Sequence, residues 1–157
     1  MTEAGSSDAT IAPIDDGYCI ACGPFSEIGL RMRFEVADDE SVHSRITVGA
    51  SFQGWRNVVH GGVVAMLLDE AMAYAAGARG LLGVTADLKM RFRRPVPVGR
   101  ELLVRGNVLW QRRNVLSTAA TVTDGAGTLL ASAAGSFVSR GPMAPGQRLG
   151  EPHLGGT

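Results

Sequence analysis

The sequence has no apolar run near the ~20 residues a membrane-spanning helix needs. It has no excess of charge either, because 15 Lys and Arg balance 15 Asp and Glu. That balance implies no bulk attraction to nucleic acid or an anionic membrane, and neither end is basic enough for a DNA-binding segment. Met1 to Asp16 lacks the basic start and apolar stretch of a secretory signal, so a cytoplasmic protein with reduced cysteines is expected. No glycine-rich phosphate loop is present. Cysteine is scarce, with two in the chain. Cys19 and Cys22 form a Cys-x-x-Cys pair with no second pair to match it. His43, His60 and His153 show no spacing that would complete a zinc tetrahedron. The expectation is a turn with two small buried thiols, and no metal.

What is present is the composition of one globular domain: 157 residues, 45% apolar and 19% charged, enough for a sizeable core. Residues 1–16 are polar and small, and are expected as a flexible tail. The domain is expected over 17–140. A second flexible tail is expected over 141–157, where glycines and prolines follow no period.

Within the domain the pattern changes twice. Ile28 to Val36 and Val42 to Val48 alternate apolar and polar residues, and read as a hairpin of half-buried strands. A loop then leads into a run with hardly any polar face. From Val63 to Ala75 only Asp69 and Glu70 interrupt the apolar residues, so the spacing predicts a helix buried on all sides, ending near Ala76 before Gly77 and Gly80. After Gly83 the period returns to two. Strands are expected over Thr85–Arg93, Glu101–Gln111, Val115–Thr123 and Thr128–Ser139. Leu102, Val104, Val108 and Trp110 are expected to point inward, and Ala86, Leu88, Met90 and Phe92 to share one face. The fold class is α+β: an antiparallel sheet of about five to six strands around one long helix.

Two features of the helix invite a chemical reading. Its start, His60-Gly61-Gly62, offers unpaired amides and a partial positive charge to an approaching carbonyl oxygen. Its centre carries carboxylates that cost several kcal/mol to bury unless paired or neutralised. The glycines could equally serve a tight loop-to-helix turn, and His60 could simply cap the helix.

Several residues in fixed spacing then point to a family. His60-Gly61-Gly62 is followed nine positions after the histidine by Asp69, and sixteen further on by Thr85 in Thr85-Ala86-Asp87-Leu88-Lys89-Met90-Arg91-Phe92-Arg93-Arg94-Pro95. With Cys19-x-x-Cys22-Gly23, Gly29-Leu30 and Phe52-Gln53-Gly54, this resembles the hotdog-fold acyl-CoA thioesterase superfamily, from the phenylacetate-pathway enzymes to the mammalian thioesterase-superfamily members. The likeness runs from about Cys19 to Val138.

The resemblance implies hydrolysis of an acyl-CoA thioester, with coenzyme A as part of the substrate and no separate cofactor. It implies Gly61 as the main oxyanion donor, with His60 orienting the loop or contacting the carbonyl. Asp69 would be the general base or the nucleophile, and Thr85 would hold the water or the carboxylate. Gly62, Arg91, Arg93 and Arg113 would contact the substrate or CoA, guanidinium groups being suited to phosphates. Two helical turns span about 11 Å, so Asp69 cannot easily serve a carbonyl held at Gly61 of its own helix. The family answers this with self-association to a dimer or tetramer. Glu70 stays open as a competing carboxylate, or as a buried structural pair with an arginine. Gly54 departs from relatives that carry a water-positioning amide there. A CoA-binding sensor without turnover and a hotdog dehydratase or hydratase are the alternative functions.

Overall fold

The computed structural model describes residues 15–150; the expected tail residues 1–14 and 151–157 lie outside them. Short strands β1 (Glu35–Val36) and β2 (Val42–Thr47) come first. A single 3-10 turn at Ala50–Phe52 leads to β3 (Gln53–Trp55) and β4 (Val58–Val59). The helix α1 (Gly61–Ala78) follows, and then β5 (Leu81–Phe92), β6 (Glu101–Arg112), β7 (Val115–Asp124) and β8 (Leu129–Pro142). Six strands form one antiparallel sheet in the order β1-β2-β6-β7-β8-β5, and β3 pairs with β4 apart from it. One helix lies against this sheet, as expected. Among the described residues no helix is long and apolar enough to cross a membrane.

The core is one seam. Val64, Leu67, Leu68, Ala71, Met72, Ala75 and Ala76 recur at helical spacing and are buried. All but Ala75 join one cluster with Leu102, Val104, Leu116, Ala120, Val122, Leu130 and Phe137 from the sheet. Gly106 on β6 lets the helix come close, since a Cβ there would overlap the Ala71 carbonyl. The other side of α1 is only half-buried at Ala65, Met66, Asp69, Glu70, Ala73 and Tyr74. The helix is therefore not buried all round in a single chain. It also runs two residues past Ala76, because Gly80 (φ +74) and not Gly77 supplies the left-handed residue that closes it.

The first expected hairpin is largely absent. Only Glu35 and Val36 pair with β2, because Arg31 takes a left-handed φ of 53. The segment before it bonds instead to the cysteine turn, Leu30 N–H to Ile20 O and Met32 N–H to Ala21 O at 2.9 and 2.8 Å. On β6 a register shift between Val108 and Trp110 turns the strand, leaving Trp110 exposed where an inward side chain was expected. Phe92 is exposed too, so the expected apolar face of β5 does not hold to its end.

Strands β5 and β6 are neighbours in sequence but lie on either side of β7 and β8. The link between them carries Pro95 and Pro97 across the start of α1, where Val59 N–H donates to Val96 O and Val98 N–H to Asn57 O. This crossing fixes the loop from which the helix begins. Past β8, Met143 N–H bonds to Gly80 O and Gly150 N–H to Asp15 Oδ2.

Candidate active site

His60 is the N-cap of α1: its Nδ1 accepts from Gly62 N–H at 2.9 Å. A ring nitrogen that accepts cannot carry the proton, so Nε2 carries it in the neutral ring. Val63 and Val64 N–H both reach His60 O, at 2.9 and 3.1 Å. Of the first-turn amides this leaves Gly61 N–H without a partner among the described residues. The helix therefore presents one open donor, at Gly61, backed by its positive end. Gly62 sits beside it, with its own amide taken.

The approach to this amide is tightly built. Asn57 adopts φ 63 in the β3–β4 turn, and its N–H donates to Gln53 Oε1 at 3.4 Å. A Cβ on Gly54 would lie 3.1 Å from His60 Cα and 3.2 Å from its ring. A side chain at 54 would therefore crowd His60. Above Gly61 stands Phe92, whose ring would be 3.6 Å from a Cβ placed there.

Asp69 and Thr85 meet. The Thr85 hydroxyl donates to Asp69 Oδ1 at 2.7 Å, a charge-assisted bond that fixes the carboxylate's orientation. Thr85 is exposed and Asp69 half-buried, and β5 shifts register between Thr85 and Asp87, next to this pair. Eight residues of helix rise separate Asp69 from Gly61, about 12 Å. The arginines do not all converge. Arg91 lies on β5 opposite Ser132, and Arg93 follows the strand, its N–H bonded to Leu130 O. Arg113 occupies the β6–β7 turn with φ 55. The pairings Val115 to Val138 and Val84 to Val138 put that turn at the Val84 end of β5. Arg91 is seven positions away along the strand, about 23 Å.

Glu70 faces elsewhere, and among the described residues no arginine forms an ion pair with it. Its two oxygens lie 3.9 and 4.0 Å from Cys19 Sγ. Burial pushes its carboxyl up, to about 7. The Cys22 thiol and the amides of Cys22, Ala21 and Gly23 hold Cys19 below the usual thiol range, at about 5. Donating to Cys19 and lying buried, Cys22 is pushed up; burial also raises the Tyr74 phenol. A cavity of about 410 Å³ opens over Cys19, Cys22 and Glu70. A larger one, about 730 Å³, lies by Phe34, Tyr74 and Gly77 towards the helix C-terminus. Neither is lined by His60, Gly61, Asp69 or Thr85.

Three residues escaped the sequence reading as a group: Cys19, Cys22 and Glu70. The available signals were an acid inside an apolar helix and a Cys-x-x-Cys-Gly turn, about fifty residues apart.

Comparison with known proteins bears on the family and the fold. Residues 56–131 match the model of the thioesterase superfamily. No curated protein matches the chain. A crystal structure of a thioesterase superfamily protein superposes with a TM-score of 0.76 at 28% identity, covering 83% of this chain and 68% of that one. The E. coli PaaI protein, from the phenylacetic acid degradation operon, gives 0.67 at 24% identity over 73% of this chain and 83% of its own. A hypothetical thioesterase from Streptococcus pneumoniae, solved with coenzyme A, gives 0.68 at 20% identity, with 72% and 91% covered. The last two share the fold. The helix and six-stranded antiparallel sheet are those of the hotdog fold, and the resemblance read from the residues is met by the family match and by the architecture.

Proposed function

We propose, from a hotdog fold that matches the thioesterase superfamily, that this protein hydrolyses acyl-CoA thioesters to the free acid and CoA. The observation that carries the reading is the Thr85 to Asp69 hydrogen bond of 2.7 Å. It joins two residues sixteen positions apart that the sequence singled out for one reaction. The open Gly61 amide supplies the second requirement, a donor for the oxyanion that develops as the thioester carbonyl is attacked. Asp69, oriented by Thr85, removes a proton from water or attacks the carbonyl itself. His60 holds the loop by capping the helix, with Nε2 left to face the substrate. Arg91, Arg93 and Arg113 bind the CoA phosphates.

The site is shared between two subunits. The outer edge of β5 pairs with no strand among the described residues, and a 12-residue bare edge is a ready template for a second chain. Antiparallel pairing of β5 with its copy about a two-fold axis covers the Asp69–Thr85 surface. It also sets the Arg113 end of one sheet beside the Arg91–Arg93 end of the other, and lets the Gly61 amide of one helix serve Asp69 of the other.

The test is thiol release from short, long, branched and aromatic acyl-CoAs, with Gly61→Pro as the probe. Position 61 is the first helical residue, where proline is tolerated, and His60 has the extended φ −58, ψ 136 that precedes proline comfortably. The substitution removes one N–H and leaves the helix in place. A loss of about a hundredfold to a thousandfold in kcat is expected. Hydrolysis of no acyl-CoA by the wild-type chain would overturn the reading in favour of a binding protein.

A further inference from the structure

The Cys19–Cys22 turn does more than place two small side chains. Gly23 N–H donates to Cys19 O at 2.8 Å, and Phe25 N–H to Gly17 O at 3.0 Å, so the chain doubles back on itself within nine residues, Gly17 to Phe25. Gly23 has no room for a Cβ, which would overlap the Gly17 carbonyl. Ala21 N–H points at Cys19 Sγ from 3.4 Å, an arrangement in which a backbone donor favours sulfur as a thiolate. Arg33 Nη1 anchors the turn from outside through Cys22 O at 2.8 Å. The turn is a rigid holder for two sulfurs.

Glu70 completes the group from the helix. One ligand atom from each of Cys19, Cys22 and Glu70 lies within 4.8 Å of the other two. A tetrahedral ion with M–S near 2.3 Å and M–O near 2.1 Å needs S···O edges of about 3.6 Å and S···S edges of about 3.8 Å. The Cys19 Sγ to Glu70 oxygen distances of 3.9 and 4.0 Å are a few tenths of an ångström from that edge. Asp15, in the cavity wall, is already committed: Oδ1 accepts from Gly17 N–H and Oδ2 from Gly150 N–H. A fourth position faces the cavity of about 410 Å³, open to water or an outside ligand.

We propose that Cys19, Cys22 and Glu70 bind one thiophilic divalent cation of the zinc class and so clip the N-terminal loop to α1. Two sulfurs and one carboxylate are a donor set that selects such an ion over magnesium or calcium. An ion also accounts for a half-buried carboxylate that has no basic partner among the described residues, which otherwise costs stability. The site is separate from Asp69 and Thr85 and does not rest on the thioesterase reading. Its role is structural: it ties residues about fifty apart in sequence.

The test is titration of the reduced, chelator-stripped full chain with cobalt(II), followed by zinc. One equivalent of cobalt is expected to give thiolate-to-metal absorption in the near ultraviolet and tetrahedral bands in the visible, both removed by one equivalent of zinc. Zinc should also raise the melting temperature of the wild-type chain. Glu70→Gln, nearly equal in volume, should weaken binding at least tenfold, and Cys22→Ser should abolish the sulfur absorption. Absence of thiolate–cobalt absorption on the reduced wild-type chain overturns the site. So does unchanged affinity in Glu70→Gln. Loss of two hydrogens by mass on mild oxidation, in a chain that binds no cobalt or zinc, assigns the pair to disulfide chemistry instead.

Discussion

Asp69 and Glu70 are consecutive residues about 100° apart around one helix, and they live in opposite surroundings. Asp69 meets a threonine hydroxyl at the exposed edge of the sheet. Glu70 sits against two thiols under the N-terminal loop. One carboxylate is oriented by a single donor and open on its other side, as an acid–base group needs. The other is half-buried in a cavity wall beside the cysteine turn, and burial pushes it up to about 7. Residue type and position along the chain are nearly the same for both. What differs is the element each one faces, β5 for Asp69 and the cysteine turn for Glu70.

The sharpest way to break this comparison is to treat the two acids alike. Asp69→Ala should lower kcat on the best acyl-CoA by about a hundredfold to ten-thousandfold, the range for removing a positioned acid or base. Glu70→Gln should stay within about threefold of wild type, because its side chain touches no reacting atom. Steady-state thiol release on both variants decides it, and equal losses would erase the distinction.

Thr85→Val comes next in size. It keeps the strand shape and removes the hydroxyl bonded to Asp69. A charge-assisted bond of about 1.5–3 kcal/mol corresponds to a fall of about tenfold to a hundredfold in kcat, with the circular dichroism spectrum unchanged. Gly54→Ala acts on the Gly61 side through packing: its new methyl crowds His60, weakens the cap, and should cost about 1 kcal/mol in urea denaturation. A pH dependence sets Glu70 apart as well. In the metal-free chain the folded state holds the Glu70 proton to about 7, while the ordinary carboxyl value is 4.5. The folded state binds more protons in that window, so this group's contribution to stability falls as pH rises from about 4.5 to 7. The stability of wild type relative to Glu70→Gln should decline across it, by no more than about 1.4 kcal/mol per pH unit.

Much of the fold is legible in the sequence wherever one period rules. Residues 116, 118, 120 and 122 on β7 alternate inward as the pattern requires, and Asp124 accepts from Ala126 and Thr128 N–H to close the turn to β8. The helix start is legible because a cap and two glycines are local features. The period fails where a bulge intervenes, as at Trp110. It fails again where a backbone angle overrides alternation, as at Arg31. Within the candidate site, Asp69 and Thr85 are singled out only through the family resemblance, and the structure adds the hydrogen bond between them. Glu70 with Cys19 and Cys22 is not singled out, since contacts across about fifty residues leave no local trace. The edge of β5 is legible only from strand order, which sequence alternation does not encode.

The central claim is that Gly61 of one subunit serves Asp69 of another. It is tested most directly by co-expressing Asp69→Ala and Gly61→Pro chains with different tags and assaying the purified mixed dimer. Each variant alone should be nearly inactive. The mixed dimer holds one site with both lesions and one with neither, so it should recover about half of the wild-type rate per dimer. A mixed dimer as inactive as its two parents would contradict the shared site and confine the chemistry to a single chain.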